Sequence, residues 1–126
     1  MKSGNLLFLA GHVPYNADGS LAKGKCGEDF TVEEGYKFAA AITANLLKTV
    51  KDNIGELTNV EKIVKLNGMV NSGGNFHDHP KVINGASDLL VEVFGKEIGA
   101  HARTAVGCPS LPFNVPVEID AVIQIR

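Results

Sequence analysis

Four groups of residues in this 126-residue chain carry side chains or backbone that could do chemistry. Arg103 stands ahead of small and apolar residues in HARTAVGC, and fifteen positions later Glu118 interrupts VPVEIDAVIQI, a stretch that otherwise alternates. A guanidinium presents a rigid fork that takes a carboxylate through two parallel hydrogen bonds. Its small neighbours Ala102, Thr104 and Ala105 leave room for a ligand beside it. The plain alternative is an exposed arginine at a strand start. Glu118 and Asp120, at i and i+2, share one face of an extended segment. On a strand adjacent to that of Arg103, Glu118 could hold a water against a carboxylate-bearing substrate and act as a general base. Otherwise the two acids are a solvated strand face.

The other groups carry less. His77 and His79 in FHDH form a His-x-His pair, but a metal site needs three or four ligands and no third stands nearby. Capping or solvent exposure is the simpler reading, and no metal is assigned. Cys108 precedes Pro109 without an adjacent base, so packing is expected of it. NSGGN, residues 71–75, is not a phosphate loop, because no lysine, serine or threonine follows at the required spacing.

The elements that must position these groups follow from periodicity. Residues 5–13 (NLLFLAGHV) form a short apolar run read as a buried strand, followed by turn signals at Pro14 and Asp18-Gly19. Thr31 and Glu34 have capping-box spacing. Behind them Tyr36, Ala39, Ala40, Thr43, Leu47, Val50 and Ile54 predict an amphipathic helix closed by Gly55. Residues 62–70 (KIVKLNGMV) alternate, with Val64, Leu66 and Val70 on one side and a weak point at Gly68. Pro80 suits the first turn of a second helix, with Asp78 or His79 at the cap. Val82, Ile83, Ala86, Leu89, Leu90 and Val93 form its stripe, and Gly95 follows as its end. Residues 102–107 are a short strand. In residues 115–125, Val115, Val117, Ile119, Ala121, Ile123 and Ile125 face one way, and Pro116, Glu118, Asp120, Val122 and Gln124 the other. The economical solution is an α+β fold, a mixed sheet with two helices on one face. Something must then cover or use the other face.

A chain of this length, 44% hydrophobic, supports one core and not two. A net charge of −2 without a Lys/Arg cluster gives no footprint for nucleic acid or an anionic membrane. Cys26 and Cys108 are too few for a disulfide framework and read as reduced thiols. Residues 1–14 hold a short apolar run with no cleavage signal, too short to span a bilayer. The expectation is a single cytoplasmic domain over residues 1–126, without a cofactor.

The residues also match a known pattern. ARTAVGCPSLPFNVPVEIDAV, residues 102–122, resembles the C-terminal signature of the RidA/YjgF family of reactive-intermediate deaminases: a strand opened by arginine, a Leu-Pro turn and a V-E-I-(D/E)-A strand. GNLLFLAGHVP resembles the family's N-terminal strand with its following Asp-Gly turn. TVEEGYKFAAAITANLL, VKLNGMVNS and KVINGASDLLVEVFG look most like a divergent "endoribonuclease-like" branch.

The resemblance spans essentially the whole chain. It implies a chorismate-mutase-like fold assembled as a homotrimer, with clefts between subunits that hydrolyse 2-imino acids to 2-oxo acids and ammonia. It gives Arg103 the carboxylate, Glu118 the reactive carbon, and Gly11 a backbone contact. Ala105 stands where the family has a cysteine. The family's cleft asparagine falls near Ser87, with Asn84 a poor substitute. The family's tyrosine, and an edge strand with it, are expected to be missing ahead of Gly4, and Tyr15 lies on the wrong side to replace that tyrosine. The alternatives are a non-catalytic trimer binding small carboxylates and, from the branch label, an endoribonuclease.

Overall fold

Strict alternation in the C-terminal strand organises the sheet. The computed structural model describes all residues, Met1 to Arg126. Its strands are β1 (Lys2–Ser3), β2 (Leu6–His12), β3 (Val60–Asn71), β4 (Ala102–Cys108) and β5 (Val117–Ile125), with helices α1 (Val32–Ile54) and α2 (His79–Gly99). The sheet order is β1-β2-β5-β3-β4, with only β3 and β4 parallel. β5 therefore lies centrally, between β2 and β3. Val117, Ile119, Ala121, Ile123 and Ile125 are buried towards the core, while Glu118, Asp120, Val122 and Gln124 are half-buried on the opposite face.

Both helices cover the same side of the sheet, as the two apolar stripes require. The capping box forms: Glu34 N–H donates to Thr31 Oγ1 and Thr31 N–H to Glu34 Oε1, each at 3.1 Å. Gly55, at φ +87°, ends α1 by donating to the Lys51 carbonyl. The buried stripe of α1 is Gly35, Ala39, Ile42, Thr43, Leu46, Leu47 and Val50, so Tyr36 lies outside it. That phenol instead donates to Asp88 on α2 at 2.7 Å. At the helix crossing a Cβ on Gly85 would overlap the Tyr36 carbonyl oxygen. Gly95, at φ +79°, breaks the helical path of α2, which resumes for a last turn to Gly99. No helix is long and apolar enough to cross a membrane.

Three expectations need correction. Val93, expected on the apolar stripe of α2, is exposed. Val64 does not face the core: the β3–β5 register shifts between Ile63 and Lys65, and this bulge turns Ile63 inward and leaves Val64 exposed. The edge strand expected to be missing is present in short form, because Lys2 and Ser3 pair with Leu7 and Leu6.

Asn71, fully buried at the end of β3, ties the loops together. Its amide donates to the Gly24 and Val115 carbonyls and to Asn114 Oδ1 at 3.0 to 3.3 Å. This pins the Leu-Pro turn, whose Phe113 and Asn114 adopt positive φ, just ahead of β5. Cys26 is buried beside it and donates its amide to the Asn71 carbonyl.

Two measurements check this packing. Gly85→Ala is expected to lower stability by about 1–3 kcal/mol, the usual range for overpacking, seen as a lower urea midpoint with unchanged slope. A wild-type midpoint would contradict the close helix crossing. Burial, and secondly the Glu34 charge, push the Cys26 thiol up to about 11, whereas Cys108 is only half-buried. A thiol reagent at neutral pH should therefore modify one cysteine of the native protein and both in urea, counted by mass spectrometry.

Candidate functional site

Arg103 lies on β4, the edge strand beyond β3, opposite Leu66 in the register. Leu66 faces the core, so Arg103 also points to the helix side. There its Nη1 donates to Asn84 Oδ1 at 2.8 Å and to Ser87 Oγ at 3.2 Å. Both acceptors stand on α2, three residues apart on one face. Ser87 also meets His101 Nε2 at 2.8 Å, and His101 Nδ1 lies 2.7 Å from the Gly99 carbonyl oxygen. Ala105 follows on the same side of β4 and packs half-buried against the core.

The guanidinium has no counter-ion. The sole ion pair within 4.0 Å in the chain is Lys81–Asp78, an exposed contact elsewhere on α2. Nη1 spends both of its protons on neutral oxygens, which leaves Nε and Nη2 without partners. No side-chain nitrogen or oxygen is buried without a partner, so neither of these two nitrogens is fully cut off from solvent. Such an arrangement suits a planar anion arriving from outside.

Glu118 occupies a different place. β3 separates β4 from β5, so the expectation of adjacent strands is corrected. Glu118 stands opposite Met69, which points to the face away from Leu66 and from Arg103. Two strand spacings, about 10 Å, and the thickness of the sheet separate the two groups within one copy. The reason lies in topology: the last strand inserts between β2 and β3 instead of pairing with β4, its neighbour in sequence.

Gly11 does meet Glu118. It sits where the β2–β5 register shifts between Leu9 and His12, and a Cβ there would overlap the Glu118 carboxylate. The acid thus rests over a bare stretch of backbone on the open face. Asp120 is engaged differently, accepting from Asn67 Nδ2 at 2.8 Å. Phe8 and Val106 leave exposed apolar surface on the same open face.

The five cavities of a single copy include neither Arg103 nor Glu118 in their walls. One of about 520 Å³ is lined by Gly11, His12, Tyr15 and Lys48. Another, of about 280 Å³, borders Ser72, His77, His79 and Cys108. In it His79 Nε2 lies 3.2 Å from Ser72 Oγ, and the imidazole packs edge-on to Phe76. Burial, and secondly the neighbouring His77, lower the His79 pKa. No group of three or more His, Cys, Asp or Glu side chains converges on a point.

Sequence reasoning set Asn84 aside and missed His101. The i, i+3 spacing of Asn84 and Ser87 was a usable signal for the first, since both then share a helix face. For His101 the signal was weaker: on a strand it shares a side with Arg103 two residues on.

Comparison with known proteins bears on the family and the fold. The family model described as "YjgF/chorismate mutase-like, putative endoribonuclease" matches residues 2–122. Protein TCP17 of Trypanosoma cruzi is 42% identical over 124 residues, covering 98% of this chain and 78% of that protein. The crystal structure of Atu1372 from Agrobacterium tumefaciens, a protein "with unknown function", superimposes with a TM-score of 0.95 at 43% identity, over 100% of this chain and 81% of that one. A "putative endoribonuclease" from Shewanella oneidensis gives a TM-score of 0.93 at 35% identity, covering 99% and 82%. With the model matched almost end to end, and the mixed five-stranded sheet and its two helices in agreement, the chain belongs to the YjgF/chorismate mutase-like family.

Proposed function

We propose that the protein is a RidA-like deaminase that hydrolyses 2-imino acids, or their enamine tautomers, to 2-oxo acids and ammonia in a cleft between the subunits of a homotrimer. The observation that carries this reading is the guanidinium of Arg103, held through one nitrogen by two neutral acceptors and left without a carboxylate. The substrate carboxylate takes the two free nitrogens. Water adds to C2 of the protonated imine while Glu118 accepts its proton, giving a carbinolamine. Glu118 then returns its proton to the nitrogen, and collapse of the carbinolamine expels ammonia, which leaves as ammonium with the hydroxyl proton, giving the 2-oxo acid and the free Glu118 carboxylate. Arg103 holds and orients, and Glu118 is the base.

The same geometry supports such an assembly. Arg103 sits at the sheet edge on the helix side, and Glu118 sits on the open face. One small ligand touches both only where the edge of one copy meets the open face of another. Phe8 and Val106 supply apolar surface for that contact.

One observation favours a second reading, a trimer that binds small carboxylates without turning them over. Ala105 is an apolar, half-buried residue where the family's cysteine stands, so one reactive side chain is missing beside Arg103. The endoribonuclease description of the family finds less support: a net charge of −2 offers few phosphate contacts.

Sedimentation at micromolar concentration is expected to give a trimer, and a stable monomer would remove the cleft. Arg103→Ala should cost about 2–3 kcal/mol of 2-oxo-acid binding, the range for hydrogen bonds to a charged group. Arg103→Lys should recover only part of it, because an ammonium lacks the planar fork. Glu118→Gln should leave binding nearly intact and slow ammonia release by roughly a hundredfold or more, the scale of general acid–base catalysis. Binding without measurable turnover in the wild type selects the second reading. Undiminished binding in Arg103→Ala ends both. RNA binding is expected to be weak and lost as salt rises, checked by titration at two salt concentrations.

A further inference from the structure

His101 completes a hydrogen-bond chain that ends on the guanidinium. Its Nδ1 lies 2.7 Å from the Gly99 carbonyl oxygen, an atom that can only accept, so Nδ1 carries a proton. In a neutral imidazole Nε2 is then bare, and it lies 2.8 Å from Ser87 Oγ. The single hydroxyl proton of Ser87 therefore points at His101. That turns an oxygen lone pair toward Arg103 Nη1, 3.2 Å away. Every donor in the series has one acceptor: Nδ1–H on Gly99, Ser87 O–H on Nε2, Nη1–H on Ser87.

From this order we infer that His101 is a positioning residue for the carboxylate clamp. It fixes the Ser87 hydroxyl as an acceptor, and so holds Arg103 with Nε and Nη2 outward. The inference rests on the reading of Arg103 as the clamp. It adds the reason that the side chain keeps one orientation before any ligand arrives. Asn84 occupies one proton of Nη1 and Ser87 the other, and two points of attachment stop the guanidinium plane from rotating. A serine inside a helix otherwise tends to turn its hydroxyl back to the carbonyl of the preceding turn. Without an acceptor at the position of Nε2, Ser87 Oγ swings away from Arg103 and one attachment is lost. The ligand must then restrain the arginine itself, at a cost in affinity.

The chain also specifies a replacement. A glutamine at position 101 can present its amide oxygen to Ser87 where Nε2 stood, whereas alanine presents nothing. This separates positioning from bulk packing.

The experiment measures pyruvate binding by calorimetry and imine turnover on wild type, Arg103→Ala, His101→Ala, His101→Gln, Ser87→Ala and the His101→Ala/Ser87→Ala double variant. His101→Ala is expected to weaken pyruvate roughly three- to tenfold, the scale of one hydrogen bond. KM should rise in parallel, with kcat within about twofold, because the loss is one of binding in the ground and transition states alike. His101→Gln should return to within about twofold of wild type on the same scale. The double variant should bind no more weakly than Ser87→Ala alone, since both changes break one chain. Long-range proton–nitrogen NMR should find His101 as the Nδ1–H tautomer. Equal losses in the alanine and glutamine variants, additive effects in the double variant, or an Nε2–H tautomer would overturn the inference. So would unchanged binding in His101→Ala beside weakened binding in Arg103→Ala, with the clamp itself left standing. A wild type that binds no pyruvate, or an Arg103→Ala variant that binds as tightly as wild type, removes the clamp and the positioning role together.

Discussion

A sheet covered on one side only is the constraint on which the other features depend. Two helices of this length cover one face of five strands, and each strand presents its alternate residues to the other face. β5 obeys this without exception, its core residues buried and the intervening ones half-exposed. A slip of one residue would drive Glu118 and Asp120 into the core. Bulges in β2 and β3 adjust the neighbouring strands to that fixed register, and one of them lays bare the backbone at Gly11 beneath Glu118. The acid is where it is because a strand of alternating valine and isoleucine leaves it nowhere else to go.

The arginine is governed by a different balance. A half-buried cation without a counter-ion is held in place by hydrogen bonds to side chains of α2, so its position depends on the helix packing correctly against β3 and β4. The close approach at Gly85 and the bond between Tyr36 and Asp88 set how α1 and α2 sit together, and through α2 they set where Asn84 and Ser87 stand. Helix packing and anion recognition are thus two aspects of one arrangement. An assembly that joins this edge to another copy's open face would unite the two charged groups that a single chain keeps apart.

Much of the fold was legible in the sequence, because its signals are local. The capping box at Thr31 and Glu34, the helical spacing of Ala39, Thr43, Leu47 and Val50, and the alternation of β5 each need only a few neighbouring residues to be read. Pairing is not local. β4 and β5 follow one another in sequence and consecutive strands usually neighbour in space, yet β3 lies between them here. That single fact moved Glu118 two strands from Arg103. The bulge at Val64 was hidden for a related reason, since Ile63 and Val64 are equally apolar and only the partner strand decides which turns inward. Arg103 and Ser87 were singled out by resemblance, and the structure joins the two by a hydrogen bond. The roles of Asn84 and His101 depend on an approach between α2 and β4 that no spacing within the chain records.

The place of β5 also bears on how the protein is made. The strand that joins both halves of the sheet is the last of the five along the chain. Until it emerges from the ribosome, β2 and β3 have no common partner, and the apolar stripes of α1 and α2 rest on an open gap. Only β1 with β2, and β3 with β4 through α2, can pair beforehand. Closure then depends on contacts between distant parts of the chain, the kind that forms slowly and leaves strand edges exposed meanwhile. The nine residues of β5 convert two partial sheets into one, so the sheet closes only with the last of its five strands.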